Sequence, residues 1–242
     1  MLKSFRSLLV FGLGLVVLIV LASCGGSPGV TTATLYVPSD ATTTNYELSA
    51  FGSAALTSPT DVIMQHVYPE AELDGLPVGA TITGMRLMPC GDASCTSDWV
   101  DTTVTQFEVR LSTSENEAGS LSLTFSENRG ADEVIVIPET SWDIVAADYH
   151  NDECQAHVDA GNGGPCAFGP VINFENPFVY AGGSILMETA SVGGKTDQFD
   201  MQAHPYGTDV ISYFVPTDFN DARVATHQRD YFHHIAFIYT TD

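Results

Sequence analysis

Residues 103–111, TVTQFEVRL, decide the fold class of this sequence. Side chains alternate between the two faces of an extended chain, so a strict alternation of apolar and polar residues is typical of a half-buried β-strand. The two sets here are Thr105, Phe107, Val109 and Leu111 on one face and Gln106, Glu108 and Arg110 on the other. The segment therefore predicts a strand with one face on a core.

Other short segments have the same strand character: residues 33–37, 61–68, 80–88, 121–125, 133–137, 171–174, 184–189, 209–215 and 232–239. They are separated by clusters of Gly, Asn, Asp and Pro, such as Asp74-Gly75, residues 114–119 and Gly182-Gly183. Gly and Asn tolerate positive φ and Pro removes a ladder donor, so these clusters indicate turns. Short strands at this spacing predict an all-β fold, an antiparallel β-sandwich or jelly roll, as a single domain over residues 33–242.

The charge balance restricts the partners. The chain has 30 acidic residues against 8 Lys and Arg, for a formal net charge of −22. Binding to nucleic acid requires clustered Lys and Arg that displace counterions from phosphates. We therefore expect no nucleic-acid partner.

The first 23 residues predict a secretory signal peptide, because Lys3 and Arg6 precede an uncharged and mostly apolar run at residues 8–22. The run ends in LASC, residues 21–24. This sequence resembles the lipobox of bacterial lipoproteins, in which the Cys thiol accepts a diacylglyceryl group before the signal is cleaved. The alternative is an uncleaved membrane helix, for which the run is shorter than the roughly 20 residues that span a bilayer.

The resemblance implies that Cys24 becomes a lipidated N-terminus. Residues 24–32 then comprise this Cys and a flexible, Gly-rich tether. Two or more acyl chains suffice for stable anchoring, so the membrane is a partner through the N-terminal lipid. In Gram-negative lipoproteins an Asp after the Cys commonly signals retention at the inner membrane. Gly25 in that place favours the outer membrane, with the domain in the cell envelope outside the cytoplasm.

The other four cysteines favour disulfides, because an even number of Cys in an exported chain is typical of them. We expect Cys90 to pair with Cys95 and Cys154 with Cys166, since each pair brackets a polar loop that contains Gly. Both bonds would close local loops. A zinc site built from these cysteines with His150 or His157 is the alternative, although structural zinc usually shows closer paired Cys spacing.

Two groups of carboxylates are candidate calcium ligands, because Ca²⁺ prefers oxygen ligands. The groups are Asp92, Asp98 and Asp101, and Asp148, Asp152 and Glu153. Neither group contains the DxDxDG loop, and a solvated acidic surface is the alternative. A metal site at His227, His233 and His234 is disfavoured because adjacent residues of a strand point to opposite faces.

Aromatic residues suggest a carbohydrate ligand, because a large apolar ring with a polar handle suits stacking on a sugar. Trp142 is the best single candidate; Trp99, Tyr149, Tyr206 and Tyr213 are the others. Trp142 lies in residues 141–159, the one segment that we expect to form a short helix or a long excursion. A ring packed in the core or under a loop is the alternative.

A second and looser resemblance is to secreted bacterial β-sandwich proteins of uncharacterised function. It rests on residues 62–68, VIMQHVY, 82–87, ITGMRL, 107–112, FEVRLS, and 177–188, PFVYAGGSILME. It supports the fold and implies no chemistry.

The sequence contains no HExxH, SxxK, P-loop or GxGxxG motif, and its one GxSxG match, GGSPG at residues 25–29, lies in the predicted flexible tether. We therefore expect a lipid-anchored, non-enzymatic module that binds a glycan or a surface protein or has a structural role. The alternative is a polysaccharide hydrolase with a pair of acidic residues, since glycosidase pairs have no short motif.

Overall fold

The computed structural model describes residues 30–38, 62–88, 101–145, 148, 168–192, 203–205, 211–214, 227–229 and 231–241. More than half of these residues lie in β-strands. The strands are β1 (Thr31–Val37), β2 (Val62–Tyr68), β3 (Thr81–Leu87), β4 (Thr102–Thr113), β5 (Val134–Ile144), β6 (Ile172–Val179), β7 (Ile185–Val192), β8 (Ala203–Pro205), β9 (Ile211–Phe214), β10 (His227–Arg229), β11 (Tyr231–His233) and β12 (Ile235–Thr241). Two short 3₁₀ helices, Glu70–Leu73 and Phe125–Glu127, lie in the connections between them.

The strands form two main antiparallel sheets. Sheet A has the order β1-β12-β3-β6, and sheet B has the order β2-β7-β4-β5 with β9 and β10 added beside β2. The pairs β1 with β12, β2 with β7, β3 with β6 and β4 with β5 are those of one long hairpin rolled upon itself. This strand order is that of a jelly roll. The predicted all-β sandwich is confirmed.

A single hydrophobic core lies between the sheets. Strand β4 contributes Phe107, Val109 and Leu111 from sheet B, and β12 contributes Ile235 and Phe237 from sheet A, all fully buried. The sequence predicts that Thr105 shares the core face of β4 with Phe107, Val109 and Leu111, and this prediction is wrong at Thr105. Val104 is buried and Thr105 is exposed, because the register with β5 shifts between Val104 and Phe107 and the alternation changes phase there.

Tyr68 connects the two sheets across this core. Its ring meets that of Phe237 edge to face, with centroids 5.6 Å apart. The side chain is fully buried, and this burial raises the pKa of the Tyr68 hydroxyl above its usual value. The folded state therefore holds this proton at a pH at which the unfolded chain has released it.

We predict that the free energy of unfolding decreases by about 1.4 kcal/mol per pH unit above about pH 10 through Tyr68 alone, because the unfolded state binds fewer protons there. This contribution is fully present below the unfolded pKa and is lost as the pH rises. The Tyr68→Phe variant should lose that part of the slope when urea unfolding is measured from pH 9 to 11. Parallel curves for the variant and the wild type would contradict the prediction.

The two ends of the sandwich differ. Thr31 and Thr241 pair at one end, which we call the tether end because the predicted tether, residues 24–32, reaches the sandwich there. The strand begins two residues before the predicted start of the domain, so Thr31 and Thr32 belong to β1 and not to the tether. The connections 69–80, 114–133 and 180–184 also lie there. The four other connections, residues 38–61, 88–101, 145–171 and 193–234, leave and re-enter the main sheets at the opposite end.

Several predicted element boundaries differ from the structure. Residues 121–125 form no strand, because the chain bends at Leu123 and Phe125 begins the 3₁₀ helix Phe125–Glu127. Strand β5 runs on to Ile144, so the first residues of the predicted excursion 141–159 belong to a sheet. Strands β8 and β10 were not predicted. Within the described residues, no helix has the length and apolarity needed to cross a bilayer.

Candidate functional site: a polar cluster on sheet B

A row of polar side chains crosses the outer face of sheet B. In β2, Met64 and Tyr68 face the core, so Gln65 between them faces outward. The same alternation turns Glu188 of β7 and Arg110 of β4 to the outer face. The strand register places Gln65 opposite Glu188 and Glu188 opposite Arg110, so the three residues form one row.

The connection 114–133 covers this row, and two apolar contacts hold it there. Phe125 is fully buried and packs with Ile63 and Ala190. Leu121 packs with Val67 and Leu186. These contacts lie on either side of Gln65 and Glu188 along β2 and β7, so the covered polar side chains are shielded from water and require hydrogen-bond partners.

Gln65 joins the sheet to the connection. Its Nε2 donates to Glu188 Oε2 at 2.8 Å and to the carbonyl oxygen of Phe125 at 2.9 Å. Its Oε1 accepts from Nδ2 of Asn128 at 2.8 Å. Both Gln65 and Asn128 are fully buried, so these bonds replace water for both amides.

Asn128 also fixes the shape of the connection. Its Oδ1 accepts from the backbone N–H of Ser122 at 2.7 Å and from Nδ2 of Asn116 at 2.9 Å. Its Nδ2 donates to the Ser122 carbonyl at 2.8 Å as well as to Gln65. One amide thus ties two parts of the connection to each other and to sheet B.

Arg129 and Glu188 form the charged centre of the cluster. Arg129 Nε donates to Glu188 Oε2 at 3.0 Å and Nη2 donates to Oε1 at 2.8 Å, a two-point pairing of guanidinium and carboxylate. The side chains are 10% and 3% exposed. Solvent therefore screens this pair weakly.

The ion pairs continue toward the edge of the sheet. Arg129 Nε lies 3.2 Å from Glu133 Oε2, Arg110 Nη1 lies 3.1 Å from Glu133 Oε1, and Arg110 Nε lies 2.7 Å from Glu108 Oε1. Burial alone lowers the pKa of Arg110, but the hydrogen bond and charge of Glu108, with the charges of Glu188 and Glu133, raise it overall. Arg110 therefore remains a cation in this chain of ion pairs.

The space beside this cluster is small. A shallow depression lined by Arg110, Ser112, Arg129, Glu133, Leu186 and Glu188 has no room for even a water-sized molecule. Small-molecule sites usually enclose about 300–1,000 Å³. The arrangement therefore suits a clamp that holds the connection 114–133 on the sheet better than a pocket for a ligand.

Most of the residues singled out in the sequence lie outside the described residues. These are Cys24, Cys90, Cys95, Cys154, Cys166, Asp92, Asp98, Asp152 and Glu153. Asp101 and Asp148 are described and both are exposed. The described part of the chain contains no group of three or more His, Cys, Asp or Glu that could hold a metal ion. Calcium binding and the two disulfides stay predictions.

Trp142 lies in β5 opposite Val104 of β4. Its ring stacks on that of Phe107, with centroids 4.5 Å apart and an angle of 30° between the planes. The side chain is half-buried and packs against the core. Phe107 thus covers one face of the indole. Of the three histidines considered for a metal, His234 is buried at the start of β12.

Sequence reasoning did not find the cluster. Glu108 and Arg110 were assigned to the polar face of β4, but nothing indicated that another segment covers that face. The available signal was a polar residue between two apolar residues on the same face of a strand: Gln65 between Ile63 and Val67 in β2, and Glu188 between Leu186 and Ala190 in β7. Comparison of the chain with family models, curated proteins and solved structures gives no match.

Proposed function

We propose that the chain is a lipid-anchored protein of the cell envelope, and that its jelly roll is a non-enzymatic module that binds a glycan or a surface protein. The anchor is Cys24, and the outer membrane is the expected location. One observation carries the proposal. The predicted tether reaches the sandwich at β1, which begins at Thr31, whereas four of the seven connections between the main strands join them at the opposite end.

The placement of the tether and of these four connections at opposite ends of the sandwich suits a module that is held at a membrane by its tether. A lipid at Cys24 holds the tether end near the bilayer and directs the connections 38–61, 88–101, 145–171 and 193–234 away from it. The cysteines of the predicted disulfides and most of the predicted calcium ligands fall in these connections. Loops on a rigid scaffold are the usual location of binding residues.

The polar cluster supports a non-enzymatic role. Glu188 is bound by Arg129 and Gln65, and Glu133 and Glu108 are bound by arginines. A general acid or nucleophile needs access to substrate, and these carboxylates are directed toward partners within the protein. They hold the connection 114–133 in place.

Trp142 is the candidate for sugar stacking among the described aromatic residues, through the indole face that Phe107 does not cover. A ring supported from behind is rigid, which lowers the entropic cost of binding. Sugar stacking at this position would therefore use a preformed surface.

The test uses the full chain purified from the envelope of the expressing bacterium. Mass spectrometry of its N-terminal peptide should show Cys24 with a thioether-linked diacylglycerol. The same preparation, reconstituted in phosphatidylcholine liposomes, should hold the liposomes on an array of immobilised polysaccharides without releasing shorter sugars. The Trp142→Ala variant with an unchanged melting curve should lose retention, with Trp142→Phe as the matched control.

Three outcomes would count against the proposal. An intact Met1 with an unmodified Cys24 would remove the anchor. Release of shortened sugars would support the acidic hydrolase instead. Liposomes that pass every polysaccharide unretained would remove the glycan, and a labelled envelope-protein array would then be the test of a protein partner.

A further inference from the structure

Exposed apolar side chains gather at the tether end. Val30, Val78 and Val179 are 66%, 73% and 58% exposed. Val30 immediately precedes β1, Val179 ends β6, and Val78 lies in the turn before β3. These are the three most exposed of the large hydrophobic residues that the structure describes; the other two, Leu123 and Val145, are each 44% exposed.

The register of sheet A places Val30 and Val179 near one end row. Thr32 pairs with Thr240, Thr240 with Thr81, and Thr81 with Val179, and Val30 precedes Thr32 by two residues. Strands in a sheet lie about 4.8 Å apart, so the row from β1 to β6 is about 14 Å wide. Val30 and Val179 therefore stand at its two edges, with threonines between them.

Val78 is held rigidly beside Val179. The N–H of Gly79 donates to the Tyr180 carbonyl at 2.8 Å, and the N–H of Tyr180 donates to the Ala80 carbonyl at 2.9 Å. Gly79 has a φ of 89°, which a residue with a Cβ rarely adopts. The turn that displays Val78 is thus fixed to the end of β6 by two backbone hydrogen bonds.

We propose that the tether end is a membrane-seating surface, on which Val30, Val78 and Val179 contact the headgroup region of the bilayer that holds the lipid of Cys24. This inference rests on the proposed lipid anchor. Thr31 lies seven residues after Cys24, a distance of at most about 25 Å for an extended chain and about 15 Å for a flexible coil. The short tether keeps these valines close to the lipid surface and so favours a second, weak contact there.

The threonines and the charges of this end define the kind of surface that it fits. Thr31, Thr81, Thr240 and Thr241 offer hydroxyl groups along the row. Glu70 and Asp74 are exposed in the neighbouring connection 69–80 and repel anionic lipids. The partner is therefore a zwitterionic bilayer surface.

The test places a tryptophan at each end of the full lipidated chain. Val78→Trp reports on the tether end. Val145→Trp is the matched control, because Val145 is also exposed and follows β5 at the opposite end of the sandwich. Both variants are reconstituted in phosphatidylcholine vesicles with and without brominated acyl chains. The emission of Trp99 and Trp142 is subtracted with the wild-type chain.

Bromine should quench most of the added emission of Val78→Trp and leave that of Val145→Trp unchanged. Vesicle flotation of the same samples separates the two proposals. Flotation without quenching at position 78, or with equal quenching at both positions, would overturn the seating surface and leave the anchor intact. Failure to float would overturn both, because the seating surface depends on the anchor.

Discussion

The Glu188→Ala variant is expected to lose about 3 kcal/mol of unfolding free energy, measured by urea denaturation, because it removes the two-point partner of a largely buried guanidinium and leaves Arg129 only its single contact with Glu133. Glu188 is 3% exposed and accepts two hydrogen bonds from Arg129 and one from Gln65. The substitution removes the acceptor of all three bonds at once. The connection 114–133 keeps its apolar contacts, the bonds of Asn128, the bond from Gln65 to the Phe125 carbonyl and the ion pairs of Glu133.

The matched control is Glu139→Ala on the same sheet. Glu139 Oε1 accepts from Gln106 Nε2 at 3.0 Å between neighbouring strands, but this bond is exposed. Exposed polar contacts contribute about 0–1 kcal/mol, so the control should remain close to the wild type. A similar loss of unfolding free energy in both variants would show that the buried bonds of Glu188 stabilise the fold no more than the exposed bond of Glu139.

This comparison also bears on function. A buried carboxylate that is fully bound by an arginine and an amide is a fixed structural group, because its lone pairs are already occupied. If Glu188→Ala were as stable as the wild type, the fold would not explain why an acidic residue is buried there, and the hydrolase alternative would be strengthened. The expected loss instead agrees with a module whose described acidic cluster serves the fold.

The sequence predicted the fold because the two faces of each strand differ so clearly. The alternation in residues 103–111 identified a strand, and the similar segments between turn residues identified the sandwich. The phase of that alternation was predicted only in part. A register shift between Val104 and Phe107 depends on the partner strand β5, and a single strand carries no sign of its partner's register.

The packing of the connection 114–133 on the outer face of sheet B could not be predicted for a related reason. Residues 121–125, LSLTF, alternate as a strand does, which would place Leu121, Leu123 and Phe125 on one buried face. Leu121 and Phe125 are buried, but Leu123 is exposed. Their burial comes from lying across a sheet, however, and not from belonging to one. The deciding contacts join residues far apart in sequence, as Gln65 and Glu188 are, so local periodicity does not contain them.

The candidate binding residues show a different limit. The sequence places Trp142 in the segment 141–159, for which we expect a short helix or a long excursion, but the structure places it in β5. The strand continues because its partner β4 extends to Thr102, opposite Ile144. Strand length is thus set by the neighbour, and the packing of Trp142 on Phe107 follows from that pairing.

The Phe125→Ala variant is expected to lose about 3–5 kcal/mol of unfolding free energy, the usual cost of removing a fully buried aromatic ring. Phe125 packs with Ile63 and Ala190, and its carbonyl accepts a hydrogen bond from Gln65. Loss of the ring should loosen the connection 114–133 before the sandwich unfolds. Limited trypsin digestion detects this step, since Arg129 is the one basic residue in the connection.

Leu123→Ala is the matched control, because Leu123 lies two residues away in the same connection and is 44% exposed. Little burial is lost there, so its unfolding free energy should change by less than about 1 kcal/mol and cleavage after Arg129 should stay slow. Equal losses of unfolding free energy in the two variants would contradict the conclusion that the Phe125 ring holds the connection 114–133 on sheet B. Rapid cleavage of the wild-type chain after Arg129 would contradict the conclusion that the polar cluster holds this connection on sheet B, since an arginine bound by Glu188 and Glu133 is not available to a protease.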